Sequence, residues 1–192
     1  DHLPVIEEGD LETIKNNTVD LLGVNYYQPR RIKAKESSEK LADGPMPDDY
    51  FDNYIKPDRK MNPYRGWEIY EKGVYDILTN LRENYGNIRC YISENGMGVE
   101  GEEAYINPDG SIEDDYRIEF VKDHLIYMHQ AIQEGSNVQG YHMWTCMDNW
   151  SWTNAYKNRY GFIAVDIENE GKRTVKKSGR WFKEISDANG FD

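Results

Sequence analysis

The sequence has few cysteines, fewer basic than acidic residues and no long apolar run. Its 192 residues include 23 Lys and Arg against 35 Asp and Glu, which gives a formal net charge of -12. Because a nucleic-acid surface must offer positive charge to the phosphates, this balance argues against nucleic acid as a partner. No apolar run approaches the ~20 residues that a transmembrane helix requires, so no membrane partner is expected.

The two cysteines, Cys90 and Cys146, both lie in strand-like runs. We expect buried, reduced thiols in a cytoplasmic protein rather than a disulfide. The first residues, DHLP, carry neither an initiating Met nor a signal-peptide pattern. We therefore expect the chain to begin inside a larger protein.

Strand and helix patterns alternate along the chain. Strand-like runs near residues 21–27, 89–94 and 138–144 alternate with helical patterns near residues 68–84 and 115–134. This alternation predicts an α/β fold in which the three strands are parallel neighbours and the helices pack outside them. The apolar content of 38% is enough for a core, and the length suits one domain or a large part of one.

Residues 28–66 form a polar segment that is rich in proline. It is longer than an ordinary connection, so we expect it to be functional or loosely ordered. The strand-like run before it is apolar throughout and is closed by Pro29, which predicts a buried strand.

Polar and aromatic side chains follow each of the three strand-like runs. In parallel α/β folds, function collects on the loops at the carboxyl ends of the strands. Carboxylates and amides can bind sugar hydroxyls, and aromatic rings can stack on sugar C–H faces. Taken singly, such residues are more often core, supporting or solvated residues, but their coincidence at three strand ends favours a sugar site. The residues are Asn25, Tyr26 and Tyr27, then Glu94 and Asn95, then Trp144, Asp148, Asn149, Trp150, Ser151 and Trp152.

Several motifs resemble those of glycoside hydrolase family 1. The stretch ISENG at residues 92–96 resembles the family's nucleophile motif, and GVNYY at 23–27 resembles its sixth barrel strand. GWEIYEKGVYDIL at 66–78, the block beginning WTCMDNWSW at 144 and the tail KKSGRWFKEI at 176–185 fit in the same order. The resemblance covers nearly the whole chain. It implies the C-terminal part of a (β/α)8 TIM barrel, with strands six to eight and their helices in one domain, residues 1–192.

The resemblance also implies roles for individual residues. Family members are retaining glycosidases, which use two carboxyl groups about 5–5.5 Å apart. Glu94 would be the nucleophile, and Tyr27 would hydrogen-bond to it. Asn25 and Trp144 would contact the glycone, the sugar whose anomeric carbon is attacked, and Trp144 would form the floor of its pocket. Trp67 would stack on the aglycone. No cofactor or metal is implied.

The second carboxyl group is missing from the expected pattern. The family carries its acid/base Glu in a T-F/L-N-E-P motif on the fourth strand, and the sequence contains no such motif. We therefore expect a C-terminal fragment that is inactive alone. Its open strand edge and uncovered apolar faces predict association, either as a homo-oligomer or with the missing N-terminal part of the barrel.

Ser151 indicates a subfamily. Simple β-glucosidases have Glu at this position, and Ser is the pattern of the 6-phospho-β-glycosidases, where it would accommodate a phosphate. By this resemblance Lys157 and Tyr160 would complete the phosphate site. Asn158 occupies the position where these relatives often have Lys, so either Lys157 or Asn158 would make the contact.

The expected activity is that of a bacterial, cytoplasmic 6-phospho-β-glucosidase. Its substrates would be phosphorylated disaccharides or aryl β-glucosides imported by a phosphotransferase system. Trp152, at the position that contacts the sugar's O3 and O4 hydroxyls, is compatible with gluco and galacto sugars alike. The alternatives are therefore a 6-phospho-β-galactosidase, or a non-catalytic half-barrel that binds sugars or assembles with a partner.

Overall fold

A computed structural model describes residues 4–35 and 49–191 of the chain. The helices are α1 (Asp10–Asn16), α2 (Lys72–Asn84), α3 (Asp115–Gln133) and α4 (Lys177–Ala188), with a 3₁₀ turn at Glu102–Tyr105. The strands are β1 (Leu22–Asn25), β2 (Ile32–Ala34), β3 (Phe51–Asn53), β4 (Met61–Asn62), β5 (Trp67–Glu68), β6 (Cys90–Glu94), β7 (Val138–Tyr141), β8 (Ile163–Asp166) and β9 (Lys172–Val175).

Strands β1, β6 and β7 form a three-stranded parallel sheet in the order β1-β6-β7. The prediction of three neighbouring parallel strands is confirmed. The register places Asn25 opposite Glu94, with an irregularity just before that pair. Strand β7 ends at Tyr141, so Trp144 lies beyond the strand rather than within it.

Helices α2 and α3 pack on one face of the sheet. Each helix directs apolar residues at helical spacing toward the strands, as the sequence pattern predicted. The core between them contains side chains that are almost fully buried, and burial of each large one stabilises the fold by about 1.5–3 kcal/mol. These residues are Val74, Leu78, Cys90, Ile92 and Ala131, together with Tyr26.

Strand β1 is not buried on both faces as predicted. Its residues alternate between half-buried and exposed, and Gly23 and Asn25 are among the exposed ones. Among the described residues, no layer covers this face of the sheet. The apolar run therefore corresponds to a strand that helices cover on one face only.

The two cysteines differ in their surroundings. Cys90 is 2% exposed inside β6, as predicted. Cys146 is exposed and lies after β7, outside any strand. The prediction of a buried Cys146 is therefore wrong, because the apolar run around it continues past the end of the strand.

The polar segment 28–66 contains short paired strands in the part that the structure describes. Strands β2 and β3 pair antiparallel, and so do β4 and β5. Arg31 forks onto Glu68 with Nε–Oε2 and Nη2–Oε1 distances of 2.9 and 2.7 Å, which anchors the segment to β5. Residues 36–48 lie outside the described part, and the expectation that the segment is functional or loosely ordered stays a prediction.

A buried ionic network joins three parts of the chain that are distant in sequence. Arg117 of α3 bonds to Glu102 at 2.5 Å and to Asp114 at 2.9 Å. Lys176, at the start of α4, bonds to Glu102 at 2.5 Å and to Asp148 at 3.1 Å. Burial raises the pKa of Glu102, but Arg117 and Lys176 outweigh it and leave that pKa below its usual value. The network fixes the loop after β6 to the segment after β7.

Within residues 4–35 and 49–191, no helix combines the length and the apolar character that a membrane crossing demands.

His124 should make the stability of the chain pH-dependent. It is 1% exposed, its Nδ1 lies 2.7 Å from the Phe120 carbonyl, and burial lowers its pKa to about 4. The unfolded chain takes up this proton near pH 6.5, so stability is complete above that pH and is lost as pH falls toward 4. Between pH 7.5 and 5.0 the loss from this group should be about 2 kcal/mol.

Urea unfolding of wild type and His124→Gln at the two pH values measures this contribution. The variant should lose less stability on acidification, whereas His129→Gln, at an exposed position of the same helix, should behave like wild type. An equal pH slope in wild type and His124→Gln would contradict the assignment.

Candidate active site

Glu94 is the last residue of β6, and Tyr27 follows the neighbouring strand β1. The Tyr27 hydroxyl donates a hydrogen bond of 2.7 Å to Glu94 Oε2. Burial and this hydrogen bond raise the pKa of Tyr27, so the phenol keeps its proton and acts as the donor. The carboxylate is thereby oriented at the carboxyl end of the sheet.

Asn95 explains why the chain can turn directly after Glu94. The side chain is fully buried, donates to the Tyr26 carbonyl at 2.7 Å and accepts from the Tyr141 hydroxyl at 2.6 Å. Its backbone carbonyl accepts from the Trp144 amide at 2.8 Å. One amide side chain therefore ties together the ends of all three parallel strands.

Gly96 is required by the close approach of the segment after β7. A Cβ at this position would lie 2.0 Å from the backbone oxygen of Trp144. Any other residue would push the two strand ends apart. The Asn-Gly pair thus fixes Glu94 and Trp144 relative to each other.

Aromatic side chains surround Glu94 on the side of β5. The rings of Tyr27 and Trp67 meet edge to face, with centroids 5.7 Å apart. A cleft borders Trp67. Its lining includes Gln28, Arg30, Tyr54, Arg59 and Gly66.

Asn25 lies on the open face of the sheet. Its Oδ1 accepts a 2.6 Å hydrogen bond from the Ser93 hydroxyl. Ser93 was not among the residues that the sequence singled out, although it stands next to Glu94. The pair presents polar groups beside the candidate nucleophile.

The aromatic and polar residues of the segment after β7 differ in how deeply they are buried. Trp144 is half-buried, whereas Trp152 is 97% exposed. Ser151 is half-buried and pairs with Ala155 through two backbone hydrogen bonds of 2.9 Å. Ser151 therefore lies in a folded turn, Trp144 is tied to Asn95 at the end of β6, and Trp152 projects into solvent.

The three residues expected near a phosphate also have distinct environments. Lys157 is exposed and forms an ion pair of 3.3 Å with Glu100. Asn158 is 1% exposed. Tyr160 is 4% exposed, and its ring leaves no room for a side chain at Gly98, where a Cβ would lie 2.3 Å from the ring. Burial raises the pKa of Tyr160 and the neighbouring Arg65 opposes that shift.

Within residues 4–35 and 49–191, no group of three or more His, Cys, Asp or Glu side chains is arranged to hold a metal ion.

Known proteins resemble this chain over nearly its whole length. A family model described as glycosyl hydrolase family 1 matches residues 1–191. The chain is 69% identical over 190 residues to the 6-phospho-beta-glucosidase GmuD of Bacillus subtilis, covering 98% of this chain and 41% of that protein. It is 36% identical to a 6-phospho-beta-galactosidase of Clostridium acetobutylicum, covering 94% of this chain and 40% of that protein.

A solved structure extends the comparison to the fold. The beta-glucosidase of Thermotoga maritima in complex with castanospermine superimposes with a TM-score of 0.77 at 32% identity, over 91% of this chain and 36% of that one. The chain thus spans about two-fifths of the length of the curated relatives described above. The parallel strands with their flanking helices are part of a TIM barrel.

Proposed function

The chain belongs to glycosyl hydrolase family 1, and from that premise we propose that residues 1–192 form the C-terminal part of one (β/α)8 barrel that hydrolyses 6-phospho-β-D-glucosides with retention of configuration. The observation that carries the proposal is the 2.7 Å contact between Tyr27 and Glu94 at the ends of two adjacent barrel strands. The 69% identity to a 6-phospho-beta-glucosidase supports the substrate class.

The proposed reaction has two steps. In the first, Glu94 attacks the anomeric carbon, the glycosidic bond breaks, and a second carboxylic acid protonates the departing oxygen. In the second, the same group takes a proton from water, which displaces Glu94 and releases the sugar. The second carboxyl group must lie about 5–5.5 Å from Glu94, and we assign it to the part of the barrel outside this chain.

The remaining site residues take supporting roles in this proposal. Tyr27 orients the nucleophile, Trp144 forms the floor under the glycone with Asn25 beside it, and Trp67 stacks on the aglycone. Ser151 and Tyr160 receive the 6-phosphate, with Lys157 nearby, and Trp152 takes part only when substrate or the rest of the barrel draws it inward. We also propose a cytoplasmic location, because sugars imported by a phosphotransferase system arrive there already phosphorylated.

A 6-phospho-β-galactosidase is the second candidate, favoured by the Clostridium acetobutylicum relative. A non-catalytic half-barrel is the third. We use the term complete barrel for this chain joined to the preceding strands, taken from its own gene or from the Bacillus subtilis relative. Rates on nitrophenyl 6-phospho-β-glucoside, 6-phospho-β-galactoside and the unphosphorylated glycosides separate the first two candidates. The third candidate predicts that the complete barrel hydrolyses none of these substrates.

Ser151→Glu should shift the substrate preference of the complete barrel toward unphosphorylated glucosides. Two unit charges ~4 Å apart at an effective dielectric of ~20 repel by about 4 kcal/mol, and even half of that lowers kcat/KM more than about tenfold. The unphosphorylated glucoside should be unaffected or improved, because Glu can accept hydrogen bonds from its hydroxyls.

Kinetics on both substrates measure this shift. Thr153→Glu, which adds the same charge to an exposed position of the same turn, is the matched control and should leave the ratio within about twofold. The relevant ratio is kcat/KM for the phosphorylated glucoside divided by kcat/KM for the unphosphorylated one. If this ratio does not fall in Ser151→Glu, Ser151 does not face the phosphate.

A further inference from the structure

The segment that carries Ser151 and Tyr160 offers little positive charge to a phosphate. Lys157 pairs with Glu100 and is 59% exposed at its side chain. Asn158, at the position where the related enzymes often have Lys, is buried, and its side-chain amide lies 2.7 Å from that of Asn154. Arg159, the other cation of this segment, donates to the Val165 carbonyl at 3.3 Å and lies 4.0 Å from an Asp148 carboxylate oxygen. With both cations engaged in this way, a phosphate at this site gains most from a cation on another part of the chain.

Arg65 is a cation from outside this segment that contacts it. It stands in the turn between β4 and β5, and its guanidinium carbon lies 4.3 Å from the ring centroid of Trp67. We assign the Asn154 amide so that its oxygen accepts from Arg65 Nη1 and its nitrogen donates to the Thr153 carbonyl at 3.1 Å. The charge of Arg65 also lowers the pKa of Tyr160 against the larger rise that burial causes, so the guanidinium lies close to that hydroxyl.

The turn that carries Arg65 is anchored to the loop of the candidate nucleophile. The buried Asn62 side chain donates to the Gly98 carbonyl at 3.0 Å and accepts from the Tyr64 amide at 3.0 Å. Gly66, with a φ of +67°, closes the turn by bonding to the Asn62 carbonyl at 2.9 Å. The backbone at Arg65 is therefore fixed relative to Glu94, four residues before Gly98.

The guanidinium retains donor capacity in this position. Stacking on Trp67 covers its face, while its N–H groups point outward in the plane. Its Nε is buried and has no hydrogen-bond partner among the described residues. A buried, unpaired donor costs free energy, so an acceptor that reaches it is favoured. A phosphate provides such acceptors and matches the planar fork of an arginine.

We propose that Arg65 is a substrate-binding residue that contacts the 6-phosphate and supplies the charge that Asn158 lacks. The inference rests on the proposed function, and it adds a specificity determinant from the β4–β5 turn. It also gives Trp67 two tasks, since the same ring that faces the aglycone carries the guanidinium. The anion class is a phosphate monoester on the sugar, and inorganic phosphate shares its chemistry.

The test compares Arg65→Gln with wild type in the complete barrel. We expect kcat/KM for nitrophenyl 6-phospho-β-glucoside to fall about 10- to 100-fold, the scale of a charged hydrogen bond, mainly through KM. The unphosphorylated glucoside should change less than about threefold. Inhibition by glucose 6-phosphate should weaken in parallel, while inhibition by glucose should not, which gives a readout independent of turnover. Inorganic phosphate as an inhibitor shows whether the phosphate group alone is enough.

Matched variants separate this role from a structural one. Arg173→Gln removes the same charge from an exposed position in β9 and should leave both substrates unchanged. Arg65→Lys keeps the charge without the fork and should fall between wild type and Arg65→Gln, and it replaces the latter if Arg65→Gln does not fold. An equal loss of kcat/KM on both substrates in Arg65→Gln would overturn the proposal. So would an Arg65→Gln variant that keeps the wild-type preference for the phosphorylated glucoside while Lys157→Gln loses it.

The wild-type rates distinguish failure of this inference from failure of the proposed function. A wild-type complete barrel that does not prefer the phosphorylated glucoside overturns the proposed function, and the inference with it. A wild-type preference that survives Arg65→Gln overturns the inference alone.

Discussion

Glu94→Gln in the complete barrel should lower kcat by several orders of magnitude on every β-glycoside that the enzyme accepts. The amide preserves the shape of the side chain but cannot attack the anomeric carbon, so no glycosyl-enzyme forms. Loss of a covalent nucleophile has effects on this scale, whereas loss of a supporting contact does not. The fold should be retained, because the amide oxygen can still accept the hydrogen bond from Tyr27.

Steady-state kinetics and product analysis test this expectation. Glu103→Gln, an exposed carboxylate in the 3₁₀ turn after β6, is the control and should keep wild-type rates. In Glu94→Ala, added azide should restore turnover by attacking the anomeric carbon from the vacated position, and the glycosyl azide should have inverted configuration. Activity of Glu94→Gln within tenfold of wild type would remove Glu94 from the nucleophile role.

Tyr27→Phe probes the same contact more gently. Removing the hydroxyl deletes the 2.7 Å hydrogen bond that Tyr27 donates to the Glu94 carboxylate. The expected loss is about 10- to 100-fold in kcat, the scale of one hydrogen bond to a charged group. The ring keeps its edge contact with Trp67, so binding of the aglycone should not change.

The sequence predicts the parallel sheet well because the signals for it are local. An apolar run, a following helix at 3.6-residue spacing and a glycine stop are each contained within a few tens of residues. The same holds for Glu94 and Asn95, which one short motif carries. Tyr27 needed the family resemblance, since nothing in its own neighbourhood indicates that its hydroxyl reaches a residue 67 positions later.

The sequence predicts the connections and the buried charges poorly because these depend on distant partners. Residues 28–66 looked irregular, yet β4 and β5 pair across a four-residue gap. Arg65 looked like an ordinary loop residue, and its partners Asn154 and Tyr160 lie about 90 positions away. Charged residues are mostly exposed in proteins, so local patterns give no reason to place Lys176 in the interior.

Arg117→Met should produce the largest loss of stability in the chain. Arg117 is 0% exposed and donates to Glu102, to Asp114 and to the Met97 carbonyl at 2.6 Å. Methionine fills much of the volume but leaves both carboxylates with one partner fewer in the interior. Removing one partner from a buried ionic network costs about 3–5 kcal/mol, which for a chain of this length lowers the melting temperature by roughly 10 °C.

Urea and thermal unfolding of the chain measure this loss. Lys183→Met breaks the exposed i,i+4 pair with Asp187, whose side chains are 75% and 65% exposed, and should leave the urea midpoint and the melting temperature unchanged. Adding Glu102→Gln to Arg117→Met should recover part of the loss, because it removes a carboxylate that the first substitution leaves under-paired. Equal stability of Arg117→Met and Lys183→Met would contradict a central role for the network.

Because Arg117 also donates to the Met97 carbonyl, three residues after Glu94, the variant should lower activity in the complete barrel even at temperatures where it remains folded.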